Sequence, residues 1–159
     1  MVRYEALVTR LRAGVTVMID GGTGTECERR GIPQLENAWN GGGAISHPDI
    51  VRSIPQDYLE QGAELIISNT FATSLHALQA AGEGNRFDEY NRAAVELAIE
   101  ARNASNRPNA LVAGGISYWS WTGHHPPLSE IEASIAQQAV VMRDAGADLL
   151  MLEMMIDID

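Results

Sequence analysis

Four short apolar runs, beginning at residues 15, 64, 110 and 148, constrain this chain more than anything else in it. They read VTVMID, ELIISNTF, ALVAGGIS and DLLMLEMM, and none shows the polar alternation of a sheet with one wet face. A strand of that kind needs cover on both sides, a condition met by parallel sheets flanked by helices. The intervening segments supply the helices. Residues 86–105 place Ala93, Leu97 and Ala101 on one helical face with charges opposite. Residues 48–61 place Ile50, Ile54, Tyr58 and Leu59 at helical spacing, with Ser46 as the expected cap, Pro48 in the first turn and Pro55 as an expected kink. TSLHALQAAG forms a shorter helix, and the last begins with Ser129 and Glu132 in capping-box spacing and stops at Gly146.

Gly62-Ala63-Glu64 and Gly146-Ala147-Asp148 repeat one device: a glycine helix stop, an acidic residue, then an apolar run. The alternation predicts an α/β fold with a parallel sheet. Two architectures satisfy it, an open four-stranded sheet and part of a (βα)8 barrel, which takes ~250 residues when whole. With 159 residues the chain suits one domain.

Charge and cysteine content narrow the partners. Twenty-one acidic residues face 11 basic ones, a net of −10, which repels phosphate backbones and anionic lipid, so neither nucleic acid nor a membrane is an expected partner. No apolar run approaches the ~20 residues of a membrane span, and residues 1–14 have a helical mix in place of a signal-peptide core. A cytoplasmic location is expected. The single cysteine, Cys27, forms no internal disulfide and suits a buried apolar role better than a metal ligand.

In parallel α/β folds functional groups gather at the carboxyl ends of the strands. Here those ends carry Asp20-Gly21-Gly22-Thr23, Asn69-Thr70, Ser117-Tyr118 and Glu153. A buried carboxylate needs a partner, so Asp20 and Glu153 are candidates for holding a cation or ammonium group. The plainer alternatives are that Asp20 caps the following turn and Glu153 begins a helix. DGGTGTE lacks the Gly-Lys-Ser/Thr and GxGxxG spacings of phosphate and dinucleotide loops. Trp39, Tyr118, Trp119 and Trp121 fall on loops at the same end, either as packing or as a cage for an onium group. His124-His125-Pro126-Pro127 reads as an irregular loop, His47 as a helix-start residue and His76 as a helix-face residue. Gly41-Gly42-Gly43 reads as a hinge or linker, and Met151, Met154 and Met155 read as core filling.

DGGTGTECERRG, HPDIVRSIPQDYLEQGAELIISNTF, NRAAVELAIEAR, LVAGGIS and AGADLLMLEMM follow one another in an order and spacing that resemble the N-terminal half of the homocysteine S-methyltransferase family. The resemblance spans residues 13 to 157. It implies a TIM-type (βα)8 barrel of which residues 1–159 hold the first four βα units, a half-barrel. It also implies methyl transfer to the zinc-activated thiol of homocysteine, giving methionine. Asp20 and Glu153 would hold the amino group, and Gly21, Gly22, Thr23, Asn69 and Thr70 would line the amino-acid site. The family's zinc ligands, three cysteines, fall beyond residue 159, so no catalytic or metal residue is expected here and this chain alone is expected to be inactive. Ser117-Tyr118 replaces the family's Gly-Pro, which leaves the methyl donor open. A fragment, the product of a split gene and a half-barrel that pairs through exposed edges are the three explanations of the length. A self-associating half-barrel that binds an amino acid without turnover is the non-enzymatic alternative, and a phosphate-using barrel a further one.

Overall fold

The computed structural model describes residues 2–155. In chain order they form α1 (Val2–Arg12), α2 (Thr23–Arg29), a 3-10 turn (Trp39–Gly42), α3 (Gly43–Ser46), α4 (Pro48–Glu60) and β1 (Leu65–Ile67). Then come α5 (Leu75–Ala80), a second 3-10 turn (Gly84–Arg86), α6 (Phe87–Ala104), β2 (Leu111–Ile116), α7 (Leu128–Ala145) and β3 (Leu149–Leu152). Among the described residues the three strands make one parallel sheet in the order β1-β2-β3. Leu65 pairs with Leu111, and Ala113 with Leu149. The fold is mixed α/β with a small parallel sheet.

The first apolar run departs from expectation. Residues 15–20 are extended but meet β1 only through an isolated parallel bridge between Ile19 and Leu65. Met18 and Ile19 are 59% and 50% exposed. The segment lies at an edge, so one side has no strand to complete a ladder. At the opposite edge β3 alternates between half-buried and exposed, with Leu152 65% exposed. Only β2, paired on both sides, is buried along its whole length. Burial on both faces therefore belongs to the centre of this sheet, and the apolar composition of its edges leaves a hydrophobic margin on each side.

One face of the sheet is covered by helices. Leu59 of α4 and Ala98 of α6 pack with Ile66 and Val112, and Met142 of α7 packs with Val95 and Ile116. On the other face Leu7 of α1 covers Leu65, Leu111 and Ala113, with Leu149 and Met151 beside them. The buried stripe of α6 runs through Phe87, Tyr90, Asn91, Ala94, Val95, Ala98, Ala101 and Arg102, while Ala93 and Leu97 are half-buried at its margin. That stripe is wider than periodicity alone indicates, because α6 touches α4 and α7 as well as the sheet.

Helix termini differ from the sequence pattern. His47 occupies the N-cap of α4 without a side-chain capping bond, its Nδ1 meeting the Ser46 hydroxyl at 2.9 Å, and that hydroxyl lies 3.1 Å from the Gly42 carbonyl. Pro127 caps α7, so Ser129 and Glu132 form no capping box. Helix α4 is one element that continues through Pro55. The glycine stops hold: Gly62 and Gly146 take φ of 111° and 103°. The acidic residues after them anchor the sheet, since Glu64 pairs with Arg10 at 2.5 Å and Asp148 with Arg102 at 3.0 Å. Among the described residues no helix is long and apolar enough to cross a membrane.

Candidate functional site

At the carboxyl ends of the strands lies a cavity of about 190 Å³. Gly21, Gly22, Thr23 and Gly24 form one wall, Ser68, Asn69, Phe71 and Ala72 another, and Trp39, Asn40, Ile67, Glu153 and Met154 complete it. Five of the seven residues singled out as substrate-binding thus line one pocket: Gly21, Gly22, Thr23, Asn69 and Glu153. Asp20 and Thr70 stand behind the lining.

Asp20 is placed by the bridge to β1. Its N–H donates to the Leu65 carbonyl at 3.0 Å, and its Oδ2 accepts from the Ile67 N–H at 2.7 Å. This excludes helix capping as its role; α2 begins after Gly22 without a side-chain cap. The other oxygen, Oδ1, is buried with no hydrogen-bond partner. Burial pushes the Asp20 carboxyl from an ordinary 3.8 to about 7, against the Ile67 hydrogen bond and helped by repulsion from Glu153.

Glu153 continues the line of β3, its N–H donating to the Ile116 carbonyl at 2.9 Å. Its carboxylate lies over Gly115, where any Cβ would collide with Oε2. Burial raises its pKa as well. The charge of Glu153, from the opposite edge of the sheet, thus adds to the upward push on Asp20, and desolvation resists charging either carboxyl.

Thr70 is fully buried, and its hydroxyl donates to the Gly115 carbonyl at 2.8 Å. It ties the loop after β1 to β2. The Asn69 amide donates to the Asn40 carbonyl at 2.9 Å. Behind this loop the Gln138 amide donates to the Thr70 carbonyl at 3.3 Å and to Asn91 Oδ1 at 2.9 Å, so α6 and α7 grip the pocket wall.

The aromatic residues divide. Trp39, Phe71 and Trp121 cluster, with ring centroids 5.9 to 6.4 Å apart. Tyr118 packs instead against His125, and Trp119 is exposed. Gly41-Gly42-Gly43 is not an irregular linker: it lies in the 3-10 turn and α3, with Gly41 and Gly43 buried. Met151 and Met155 pack in the core as expected, whereas Met154 is exposed at the pocket rim with φ of 50°. Asn40, Ser68 and Phe71 are lining residues that neither motif nor periodicity marks.

Cys27 is wholly buried among Ile32, Val51 and Ile54, and burial pushes its thiol up to about 11. Among the described residues no group of three or more His, Cys, Asp or Glu is arranged to hold a metal ion. His76 and His125 approach with ring centroids 6.3 Å apart, without further ligands. The donor set present does not fit a zinc site.

Comparison with known proteins adds four findings. A family model described as Homocysteine S-methyltransferase matches residues 17–159. The chain is 29% identical to the S-methylmethionine–homocysteine S-methyltransferase BHMT2 of Pongo abelii, over 94% of this chain and 39% of that protein. It is 31% identical to betaine–homocysteine S-methyltransferase 1 of Danio rerio, over 94% of this chain and 37% of that protein. Among solved structures, the metallated form of the homocysteine methyltransferase MmuM from Escherichia coli superposes with a TM-score of 0.76 at 25% identity, over 95% of this chain and 57% of that one. The chain spans less than half the length of these two curated relatives.

Proposed function

The chain belongs to the homocysteine S-methyltransferase family, and from that premise we propose that it carries the homocysteine-binding half of such an enzyme's site, in the first four βα units of a TIM-type barrel. The observation that carries this reading is Glu153 lining one small glycine-walled cavity with Asp20 directly behind its wall, near enough for the Glu153 charge to push the Asp20 carboxyl up, and with one Asp20 oxygen unpartnered. An ammonium group supplies the positive charge that no lining residue carries, and N–H donors for the unpartnered Asp20 oxygen. Gly21, Gly22, Thr23 and Asn69 then surround the amino-acid portion, while Thr70 holds the wall through Gly115.

In the complete reaction the homocysteine sulfur, as thiolate, forms a bond to the donor's methyl carbon. The bond from that carbon to the donor's sulfonium or quaternary nitrogen breaks, and its electron pair leaves with the neutralised donor. Trp39 and Phe71 offer aromatic surface at the pocket, worth roughly 0.5 to 2 kcal/mol per ring to a cationic donor. The names of the relatives, which specify S-methylmethionine and betaine, agree with such a donor. Zinc would supply thiol activation in the family, but the described residues do not provide its ligands, so this chain's contribution is to bind and orient. The open sheet edges favour a second reading, self-association of a binding module without turnover. Both readings suit a reducing, cytoplasmic setting that keeps a thiol ligand reduced.

Calorimetric titration under reducing conditions tests the proposal. L-homocysteine should bind, at least tenfold more tightly than 4-sulfanylbutanoate, which lacks only the amine. Affinity should rise between pH 6 and 8 as Asp20 gives up its proton. Absence of binding, or equal binding of both compounds, would overturn it. Zinc-supported turnover by the purified chain would overturn the half-site assignment.

Gly115→Ala supplies an independent check. The added Cβ meets Glu153 Oε2 and comes within 3.0 Å of Ile67 Cγ2. The carboxylate is the far end of a flexible side chain and should swing away, so the expected loss is about tenfold or more in homocysteine affinity for a stability cost of about 1–3 kcal/mol. Unchanged affinity would remove Glu153 from the binding site.

A further inference from the structure

We infer that Asn40 is a specificity-determining residue of this pocket, its side-chain oxygen serving as the third acceptor for the ligand's ammonium group beside Asp20 and Glu153. The inference rests on the amino-acid reading proposed above. Asn40 lines the cavity and is 1% exposed, yet its Oδ1 has no hydrogen-bond partner. Folded proteins rarely leave a buried amide oxygen unpaired unless a ligand, ion or water completes it.

Other groups of the residue are engaged. Its Nδ2 donates to the Gly24 carbonyl at 2.8 Å, and its backbone carbonyl accepts from Asn69 Nδ2 at 2.9 Å. Turning the amide over would set oxygen against the Gly24 carbonyl, so hydrogen bonding fixes which end is left free. The chain is also strained at this point. Asn37 and Trp39 take φ of 61° and 41°, and a bulky residue such as tryptophan seldom adopts the left-handed region without a compensating reason. An unpaired acceptor and a strained backbone thus coincide on one wall of one cavity.

The chemistry selects the end of the ligand that Asn40 reads. A carboxylate has no proton to give an amide oxygen, and a thiol is a weak donor. An ammonium group carries three N–H donors. Glu153 and Asn40 line the cavity and Asp20 stands directly behind its wall, so with Asp20 Oδ1 and Asn40 Oδ1 unpartnered the three residues offer one acceptor per ammonium proton, one of them neutral, and no third negative charge is needed. An isostere lacking the amine leaves Asn40 unpaired in the complex, the kind of penalty by which enclosed polar sites reject near-analogues.

The test compares L-homocysteine with 4-sulfanylbutanoate by calorimetry on the unsubstituted protein, Asn40→Ala and Asn40→Asp. Asn40→Ala is expected to lose about tenfold in homocysteine affinity and leave 4-sulfanylbutanoate binding unchanged. Asn40→Asp keeps an acceptor at the same place and should retain or strengthen the preference for the amine, although it too loses the donor to Gly24. Equal weakening of both ligands in Asn40→Ala, or parallel losses in the two variants, would overturn the inference in favour of a structural role through Gly24. Should Asn40→Ala fail to fold, a preference for the amine that falls about tenfold or more in Asn40→Asp, where the acceptor is kept, overturns the inference equally. If the unsubstituted protein does not distinguish the two compounds, the amino-acid reading itself falls; if it does and Asn40→Ala keeps that preference unaltered, only the role of Asn40 falls.

Discussion

Replacing Asp20 with asparagine is expected to make the empty protein more stable above pH 7 while lowering its affinity for homocysteine more than tenfold. The folded-state pKa of Asp20 is raised from 3.8 to about 7, so between those values the folded protein holds a proton that the unfolded chain has released. Stability from this group is therefore greatest at low pH and declines as pH rises through that window, after which the buried charge is carried in full. Asparagine can still accept from the Ile67 N–H, and its amide places a donor where the unpartnered Oδ1 now lies. Urea unfolding at pH 8 should show a gain on the order of 2 kcal/mol, with little change at pH 4. Loss of stability at pH 8, or undiminished homocysteine affinity, would contradict the assignment of Asp20 as a carboxylate kept at a cost for its ligand. Such opposition between stability and binding is common at functional sites.

Asp148→Ala is expected to be the most destabilising single change considered, by about 3–5 kcal/mol. Its Oδ2 accepts from Arg102 at 3.0 Å and from the Val112 N–H at 2.9 Å, and the two side chains are only 14% and 8% exposed. Removing the carboxylate leaves a buried guanidinium and a strand N–H without their acceptor. Asp148→Asn keeps an acceptor for Val112 and should lose less. Since domains of this size are stable by roughly 5–15 kcal/mol, the alanine variant should unfold at far lower urea concentration. A loss below about 1 kcal/mol would mean that Arg102 finds water or another acidic group instead.

Asp20 and Glu153 were legible because each directly follows an apolar run, and chain direction alone assigns such positions to the carboxyl end of a parallel sheet. The repeated glycine stop and acidic residue were legible for the same reason: Gly62 and Gly146 end their helices, and Glu64 and Asp148 start the next units. Asn40 left no such trace. Its role depends on a turn in which Asn37 and Trp39 take positive φ, a conformation that asparagine tolerates but that a tryptophan gives no sign of. Phe71 reads as the tail of an apolar strand, but β1 ends at Ile67 and frees the ring to meet Trp39 and Trp121. The edges misled for a different reason. Apolar composition records that a strand is meant to be covered, whereas the exposure of Met18, Ile19 and Leu152 depends on what stands next to them.

Strand order in this sheet follows sequence order without a single interleaving. The bridge at Ile19 closes once the chain reaches Leu65, β2 docks on β1 from Leu111 onward, and β3 joins from Leu149. No unit waits for a later one before it can pair, which suits assembly during translation, with each newly emerged segment templated by the one the ribosome has just released.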